Sequence, residues 1–402
     1  MIERSSYIEK IRPFINTPVI KVLTGIRRCG KSVLMELIQQ ELIKTGVRKE
    51  QILSLNFESK TDERVLSESA WLSAVKALPG DKKRYLFFDE VQEFSGWEKV
   101  VNALLIDFDT DIYITGSNAK LLSGELATYL GGRYVEIKVY PFSFREVVSL
   151  VQEKGFADAS LSPKELFLRY LKNGGFPFIY NYNFDENGVH QYLSSLYDSI
   201  VLKDISERHT VRDVAGLKQL LFFLISETGH PFSSSSLIKY LKNQKRTIST
   251  ETIYNYIDYA KESCLLHLVN RQNMQGKEIL RTQGKIYLTD HGLRETLYGN
   301  NMQDIEQVLE NIVYMELLRH NYDVTVGISG SREIDFVAEK SGQKMYVQVC
   351  YLLAGEETVG REFGVLEQIR DNFPKYVLSM DDIDRSRNGI IHKNIVDFLL
   401  EE

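Results

Sequence analysis

The sequence has few cysteines and no long apolar run, which argues against a disulfide-rich protein and against a membrane-spanning one. Its three cysteines, Cys29, Cys264 and Cys350, lie far apart in a chain of 402 residues and form no paired spacing. This argues against a disulfide framework and against a zinc site, and it favours a reducing compartment. The most apolar run, LLFFLI at 220–225, is far shorter than the roughly 20 residues that span a bilayer. We therefore expect a cytoplasmic protein without a membrane-spanning segment.

The sequence is also not rich in basic residues, glycine or proline. Lys and Arg number 49 and Asp and Glu 55, so the formal net charge is −6, and any affinity for nucleic acid has to come from a local basic patch. Glycine, at 26 residues, and proline, at 8, are not enriched, which argues against a long disordered segment. With 43% hydrophobic residues, the chain can form two or three folded domains.

A phosphate-binding loop is predicted near the N-terminus. A short apolar segment at 19–23 is followed by GIRRCGKS at 25–32 and then by apolar residues with helical spacing. In a strand, loop and helix of this kind, backbone N–H groups cradle phosphates, Lys31 reaches the β and γ oxygens, and Ser32 ligates Mg²⁺. The predicted nucleotide-binding residues are Gly25, Ile26, Arg27, Arg28, Cys29, Gly30, Lys31, Ser32 and Val33.

The string YLFFDE at 85–90 predicts a second part of the same site, because it reads as a buried strand that ends in two acids. Asp89 is expected to hold Mg²⁺ through water, and Glu90 is expected to orient or polarise the attacking water. The alternative is a strand followed by a solvated acidic turn. Together with the loop, the two acids predict binding and hydrolysis of ATP with Mg²⁺.

Two further segments supply candidate catalytic residues. The strand DIYITGSN at 111–118 ends in small polar residues, of which Asn118, with Ser117 as second choice, is expected to contact the γ-phosphate or the water. A turn that caps the next helix is the alternative. Arg133 lies in a glycine-containing loop and is expected to neutralise transition-state charge, in its own chain or in a neighbour's. A surface ion pair explains Arg133 equally well.

These strings carry a resemblance to a known family. GIRRCGKS, LFFDE, ITGSN and GGRY followed by VYPFSFREV resemble the prokaryotic AAA-type ATPases that carry a C-terminal domain of unknown function. The resemblance continues through GGFP at 174–177, KDI at 203–205 and IDF at 334–336, and so covers nearly the whole chain. It implies an α/β fold with a P-loop, ASCE-type parallel sheet flanked by helices and a glutamate beside the Walker B aspartate.

The remaining chain is expected to form three parts behind this ATPase core. We place the core at 1–145, a helical lid at 146–216, a winged-helix domain at 217–300 and a small α/β nuclease-like domain at 301–402. The lid follows from helical segments that are broken by the glycine pair at 174–175. His209, within the lid, is expected to be a packed or solvated residue rather than a catalytic one.

The winged-helix prediction depends on two short helices, at 237–241 and from 249, followed by two strands. Residues 236–285 include nine basic and four acidic residues. Such an excess of positive charge is what a phosphate-binding surface needs. Some residues of the second helix are expected off its apolar face, where they could enter a major groove: Thr252, Tyr254, Asn255, Tyr256 and Tyr259. Double-stranded DNA is the predicted partner, and a protein partner is the alternative.

The C-terminal strings EIDFV at 333–337 and VQVC at 347–350 resemble the PD-(D/E)xK nuclease core. Glu310 and Asp335 match its helix glutamate and strand aspartate. Gln348 stands where the second carboxylate belongs and Cys350 where the lysine belongs, so a metal ion would lose an anionic ligand and the water its positioning cation. Lys340 and Lys344 are possible substitutes, but both lie near a polar hairpin. We expect a nuclease-derived domain without hydrolytic activity.

Two functions therefore compete. The first is an ATPase whose nucleotide state controls a winged-helix and nuclease-like tail that contacts DNA. The second is a slow ATP-dependent assembly or signalling switch whose tail binds a protein partner. The oligomeric state depends on Arg133, because an arginine acting in trans requires a homo-oligomer and one acting in cis does not.

Overall fold

The chain forms two compact units in a computed structural model. The structure describes residues 2–117, 131–154, 160–182, 184–244, 248–274, 279–299, 301–330 and 332–401, with the backbone alone at 279–283. The N-terminal unit comprises Met1–Pro141 and Glu262–Cys264, and the C-terminal unit comprises Phe142–Lys261 and Leu265–Glu402. None of the helices in these described ranges is long and apolar enough to cross a membrane.

The N-terminal unit is built on a five-stranded parallel sheet of order β2-β3-β4-β1-β5. Its elements are α1 (Ser5–Ile11), β1 (Ile20–Thr24), α2 (Lys31–Lys44), β2 (Ile52–Asn56), α3 (Glu68–Lys76), β3 (Arg84–Asp89), α4 (Trp97–Asp107), β4 (Thr110–Gly116) and β5 (Tyr134–Lys138). This parallel sheet flanked by helices confirms the predicted α/β fold.

The strands of this sheet are apolar on both faces because helices cover both faces. On β3, Phe87 stacks on Tyr113 with ring centroids 4.5 Å apart, while Phe88 packs edge-on against Trp71 of α3 at 4.8 Å. Neighbouring residues of one strand thus serve opposite layers of the core. The arrangement holds the carboxyl ends of β1, β3 and β4 at one edge, where the predicted catalytic residues follow.

The helices of the C-terminal unit lie before, between and after its strands along the chain. These are α5 (Phe144–Lys154), α6 (Pro163–Asn173), α7 (Pro177–Tyr182), α8 (Glu186–Ser199), the π-helical segment Ile200–Glu207, α9 (Val214–Ser226), α10 (Ser234–Asn243), α11 (Thr250–Glu262), α12 (His291–Leu297), α13 (Ile305–Arg319), α14 (Glu356–Leu366) and α15 (Ile395–Leu400). The expected turn at Gly174 has a positive φ of 70°, and a Cβ there would lie 1.9 Å from the Oδ1 atom of Asp290. Glycine is therefore required at this turn.

A seven-stranded mixed sheet completes the C-terminal unit, in the order β12-β11-β10-β9-β8-β6-β7. Its strands are β6 (Leu266–Asn273), β7 (Ile279–Leu288), β8 (Asp323–Ser329), β9 (Arg332–Lys340), β10 (Gln343–Val349), β11 (Lys375–Ser379) and β12 (Ile390–Asn394). The β6–β7 hairpin, expected as a wing, joins the strands expected for the nuclease-like part, because β6 pairs with β8. The division of the chain into four parts stays a prediction.

The structure corrects the residues expected on the groove-facing side of the second winged-helix helix. Tyr256 is buried, because it lies on the same face of α11 as Ile253 and Ile257, so its assignment to a DNA groove is wrong. Tyr259 stacks on His209 with ring centroids 3.7 Å apart, which agrees with a packed role for this histidine. Tyr254 and Asn255 are exposed.

The predicted basic patch is also smaller than its residue count. Lys285 is buried and Arg271 forms an ion pair with Glu333 at 3.0 Å, so neither adds to a solvent-facing positive surface. Lys239 and Lys242 on α10 are exposed. Three other members of the count, Lys245, Arg246 and Lys277, lie outside the described residues, as does the side chain of Arg281.

Candidate nucleotide-binding site

The loop between β1 and α2 has the backbone conformation of a tight anion-binding turn. A Cβ at Gly25 would lie 2.1 Å from the carbonyl oxygen of Val139, so only glycine fits this close approach. Arg28 and Gly30 have φ values of 66° and 102°, and α2 begins directly after Gly30. The N-terminus of a 14-residue helix and the turned loop before it present backbone N–H groups to an anion.

Lys31 lies across this loop. It is 4% exposed, its Nζ donates to the carbonyl oxygens of Gly25 at 3.0 Å and Ile26 at 3.4 Å, and it lies 3.7 Å from Oε1 of Glu90. Burial alone would lower the pKa of Lys31, but the Cys29 sulfur and the Glu90 carboxylate raise that pKa above its usual value. The ammonium is therefore charged at neutral pH.

Asp89 lies at the end of β3, next to the serine of the loop. Its carboxylate accepts hydrogen bonds from the hydroxyls of Thr115, at 2.5 Å, and Ser32. Burial raises the pKa of Asp89, and these two hydrogen bonds partly oppose the rise. A hydroxyl beside a carboxylate is the hard oxygen donor set that suits Mg²⁺, which keeps several waters and takes only one or two protein ligands beside phosphate.

Glu90 follows in a left-handed backbone conformation, with φ at 49°. Such a conformation costs a non-glycine residue on the order of 1 kcal/mol, and it turns the side chain toward Lys31. The Glu90 N–H donates to Oγ1 of Thr115 at 2.9 Å, and its Oε2 accepts from the Gln92 amide at 2.5 Å. The structure thus brings Lys31, Ser32, Asp89 and Glu90 together, as the two sequence strings predicted.

Thr115 is a site residue that the sequence analysis missed. Its buried hydroxyl donates to Asp89 and accepts from the N–H of Glu90, so a single side chain of β4 orients both acids of the neighbouring strand. The string ITGSN predicts a ligand contact only for its last residues, Ser117 and Asn118, because amides and hydroxyls in a loop can reach a ligand. The signal for Thr115 was its polar side chain within an otherwise apolar buried strand.

Arg4 is a second site residue that could not be predicted from the sequence. It is 2% exposed, and its guanidinium donates to the carbonyl oxygens of Cys29, at 3.1 Å, and Tyr140, at 2.9 Å. The hydroxyl of Tyr7, on the helix α1 that begins directly after Arg4, accepts from the Tyr140 N–H at 3.0 Å. Arg4 and α1 together therefore tie the phosphate-binding loop to the segment after β5.

The other predicted site residues are placed as follows. Ile26 and Cys29 are buried, and burial raises the pKa of the Cys29 thiol. Arg27 lies 3.5 Å from Glu58, and Val33 is exposed. Ser117 is buried, and its hydroxyl has no hydrogen-bond partner among the described residues. Asn118 lies outside those residues, and the side chain of Arg133 is exposed.

Comparisons with known proteins agree with this geometry. A model described as AAA domain matches residues 17–148, and a model described as Domain of unknown function (DUF8612) matches residues 164–304. The chain is 39% identical over 404 aligned residues to an uncharacterized protein of Haemophilus influenzae, covering 100% of this chain and 99% of the relative. The chain carries an AAA domain and belongs to the same family as this relative. A second relative, an uncharacterized protein of Methanocaldococcus jannaschii, is 32% identical and covers 87% of this chain, with 78% of the relative aligned.

Among solved structures, a Walker-type ATPase of Pyrococcus abyssi aligns with this AAA protein at a TM-score of 0.48 and 16% identity, covering 73% of this chain and 95% of that one.

The residues predicted for a nuclease-like centre form a second polar site, in the C-terminal unit. Glu310 and Asp335, as predicted, lie in one cluster. Gln348 accepts the Asp335 N–H at 3.2 Å, and burial raises the pKa of the Cys350 thiol.

Neither suggested substitute lysine reaches this cluster. Lys344 pairs with Glu339 at 2.6 Å, and Lys340 lies over the ring of Tyr322 at 5.4 Å. The cation in the cluster is Lys285 instead, which lies 2.9 Å from Glu310 and 3.6 Å from Asp335. The prediction that Lys285 belongs to a DNA-binding surface is wrong, because nothing in the local sequence distinguishes a buried lysine from an exposed one.

Proposed function

We propose that this AAA protein binds and hydrolyses ATP with Mg²⁺ in its N-terminal unit, and that its nucleotide state controls the C-terminal unit, which contacts DNA. One observation carries the ATPase part of the proposal: Lys31, Ser32, Asp89 and Glu90 converge at the carboxyl edge of one parallel sheet. A loop for phosphates, two oxygen donors for a metal ion and an acid for water are the parts that phosphoryl transfer to water requires.

Each residue has a distinct part in this proposal. The loop at 25–33 holds the phosphates through its backbone N–H groups, and Lys31 exchanges the carbonyls of Gly25 and Ile26 for phosphate oxygens. Ser32 and Asp89 would hold Mg²⁺, which supplies charge neutralisation when bound. Glu90 orients the attacking water. Asn118 is proposed as the γ-phosphate sensor, and Arg133 as the residue that neutralises developing charge, in cis or in trans.

Two substitutions separate binding from turnover. Lys31→Ala should abolish nucleotide binding, because the β- and γ-phosphates lose their cation. Glu90→Gln keeps the side-chain size and the backbone bond to Thr115, so it should still bind ATP while turnover falls about 10²-fold or more. Fluorescent-nucleotide binding and steady-state phosphate release measure the two effects. Unchanged turnover in Glu90→Gln would remove Glu90 from its proposed role.

Contact with DNA is proposed through α10 and α11. The support is the order of two helices and a strand hairpin, together with the exposed side chains of Lys239 and Lys242 on α10 and of Tyr254 and Asn255 on α11. Lysines contact phosphates, and the tyrosine and the amide suit sugar and base edges. The C-terminal unit is not expected to cleave DNA, because Gln348 and Cys350 occupy the positions of the second carboxylate and the lysine of the nuclease core.

The experiment is steady-state ATP hydrolysis with and without duplex DNA, combined with DNA polarisation at several salt concentrations. Lys239→Ala combined with Lys242→Ala should weaken binding and reduce the slope of log affinity against log salt by about 2. Lys49→Ala combined with Lys60→Ala removes the same charge from exposed positions of the N-terminal unit and should leave DNA binding unchanged. Equal effects of the two double variants would contradict the assigned surface.

A second function stays open, in which ATP drives assembly with a protein partner. Winged helices often bind proteins, and the stacking of Tyr259 on His209 and the burial of Tyr256 leave fewer side chains on α11 for a groove. Slow turnover that is indifferent to DNA, with no polarisation change at low salt, would favour this function over the first.

A further inference from the structure

A largely buried cluster of opposite charges lies in the C-terminal unit. We define the acidic centre as Glu310 on α13 and Glu333 and Asp335 on β9, together with Lys285 on β7. Lys285 and Asp335 are 3% and 6% exposed. Glu310 is 8% exposed, and the Glu333 side chain is 27% exposed. Three separate elements, β7, α13 and β9, therefore bring three carboxylates and one ammonium together, and all of these groups except Glu333 are buried.

The ammonium of Lys285 lies among all three carboxylates. Its Nζ is 2.7 Å from Oε1 of Glu333, 2.9 Å from Oε2 of Glu310 and 3.6 Å from Oδ1 of Asp335. An ammonium has three N–H donors, and two of these distances are hydrogen bonds. Mg²⁺ holds its oxygens at about 2.1 Å and Ca²⁺ at about 2.3–2.6 Å, so the carboxylates are spaced for a nitrogen cation.

The electrostatics of the centre fit a resident cation. Burial alone would lower the pKa of Lys285, but Glu310, Asp335 and Glu333 raise it above its usual value. Burial and the Glu310 charge raise the pKa of Asp335 well above its own usual value, although Lys285 opposes this. The centre thus has more negative groups than one ammonium balances.

Neighbouring groups complete the centre and add to its negative charge. Tyr287 donates to Oε2 of Glu310 at 2.9 Å, and Asp335 accepts from the Val349 N–H at 2.9 Å. Glu362, on α14, is 3% exposed and its charge acts on Asp335. Its Oε1 accepts from the Arg361 guanidinium at 2.6 Å, and its Oε2 is buried and has no hydrogen-bond partner in the described part of the chain. Glu310, Glu333 and Asp335 therefore surround a position that requires a cation.

We propose that the Lys285 side chain is the resident cation of this acidic centre, occupying the position of a divalent metal ion and thereby tying the β6–β7 hairpin to α13 and β9. The centre is then a latent divalent-cation site that its own chain keeps closed. It follows that the wild-type centre takes no Mn²⁺, whereas removal of the ammonium leaves Glu310, Glu333 and Asp335 free to bind one.

The test is Mn²⁺ binding to the full chain, followed by electron paramagnetic resonance and by thermal unfolding. Wild-type protein and Lys285→Arg, which retains a cation, should show no Mn²⁺ binding that depends on Asp335. Lys285→Ala should gain one Mn²⁺ site that depends on Asp335, and added Mn²⁺ should raise the unfolding temperature of this variant. Adding Asp335→Asn to Lys285→Ala should abolish the gain, which separates this site from Mn²⁺ held by Ser32 and Asp89.

Two results would overturn the proposal. One is Mn²⁺ binding to the wild-type protein that is lost in Asp335→Asn, because the centre would then accept a metal ion with Lys285 in place. The other is a folded Lys285→Ala that binds no Mn²⁺. If this variant does not fold, Lys285→Gln combined with Glu333→Gln, which loses one charge of each sign, replaces it under the same two criteria.

Discussion

Replacement of Thr115 by valine is the sharpest test of how the sheet builds the nucleotide-binding site. The side-chain volume is nearly unchanged, but the hydroxyl that donates to Asp89 and accepts the Glu90 N–H is lost. A hydrogen bond to a carboxylate contributes about 1.5–3 kcal/mol, and a buried N–H without an acceptor costs about 1–3 kcal/mol. We expect the free energy of unfolding to fall by about 3 kcal/mol.

The same substitution should change catalysis in a recognisable way. The bond from Thr115 opposes the rise in the pKa of Asp89 that burial causes, so its loss should raise that pKa further. The acidic limb of the turnover profile should then move to higher pH. Turnover should fall about 10–100-fold, as is usual when a residue that orients a metal ligand is removed.

Thr115→Ser is the matched control, because it keeps the hydroxyl and loses only a methyl group, at a cost of roughly 1 kcal/mol. Urea unfolding gives the stability difference, and ATP hydrolysis between about pH 5 and pH 9 gives the profile. If the valine variant matched the serine variant in both turnover and pH profile, the hydroxyl would not position the two acids and the argument would fail.

Three further predictions concern groups outside the reacting positions. Arg4→Ala should weaken nucleotide binding about tenfold, because the loop carbonyl of Cys29 loses its charged donor; Arg12→Ala, on an exposed ion pair, is the control in fluorescent-nucleotide titration. Asp111→Ala should lower the free energy of unfolding by about 3–5 kcal/mol, because the buried Lys21 is left unpaired. The double variant Asp111→Leu with Lys21→Met should lower it by less. Additive effects of the two positions in a double-mutant cycle, measured by urea unfolding, would contradict this pairing. Burial lowers the pKa of His291 to about 4. The stability that His291 contributes is therefore present above its unfolded pKa of 6.5 and is lost as the pH falls toward 4. Burial raises the pKa of Asp290 to about 7, so the stability that Asp290 contributes is lost as the pH rises toward 7. His291→Gln, which can still donate to the Tyr170 carbonyl, should remove the first effect, so that the wild type gains about 3 kcal/mol on the variant between about pH 4 and pH 6.5; parallel pH curves in chemical denaturation would disprove the assignment.

Most of the secondary structure could be predicted from local patterns. The apolar segment at 19–23, the glycine loop and the helix spacing after it predict β1 and α2, and YLFFDE predicts β3 with its two acids at the end. These predictions succeed because hydrophobic periodicity and glycine turns are short-range signals, and the chemistry of a phosphate-binding loop depends on consecutive residues. The string EIDFV at 333–337, whose Asp335 is expected on a strand, likewise lies within β9.

The error on α11 shows the limit of periodicity. Tyr256 lies beside Ile257 on the buried face, yet a tyrosine within a helix that also presents exposed Tyr254 reads as a surface residue. The buried face of a helix is wide enough to include a tyrosine ring at its border. Whether that ring is buried depends on the neighbouring elements that pack against it, and the sequence of the helix does not identify those elements.

The sequence by itself determined the α/β class of the N-terminal unit, the phosphate-binding string and the identity of the two acids, because each of these depends on neighbouring residues. Only the tertiary structure decided which polar side chains from separate parts of the sequence become partners. Thr115 meets Asp89 across 26 positions, Arg4 meets Tyr140 across 136, and Lys285 meets Glu310 across 25. Burial converts such distant charges and hydroxyls into obligatory partners, since a polar group removed from water has to be satisfied by whatever the fold places beside it.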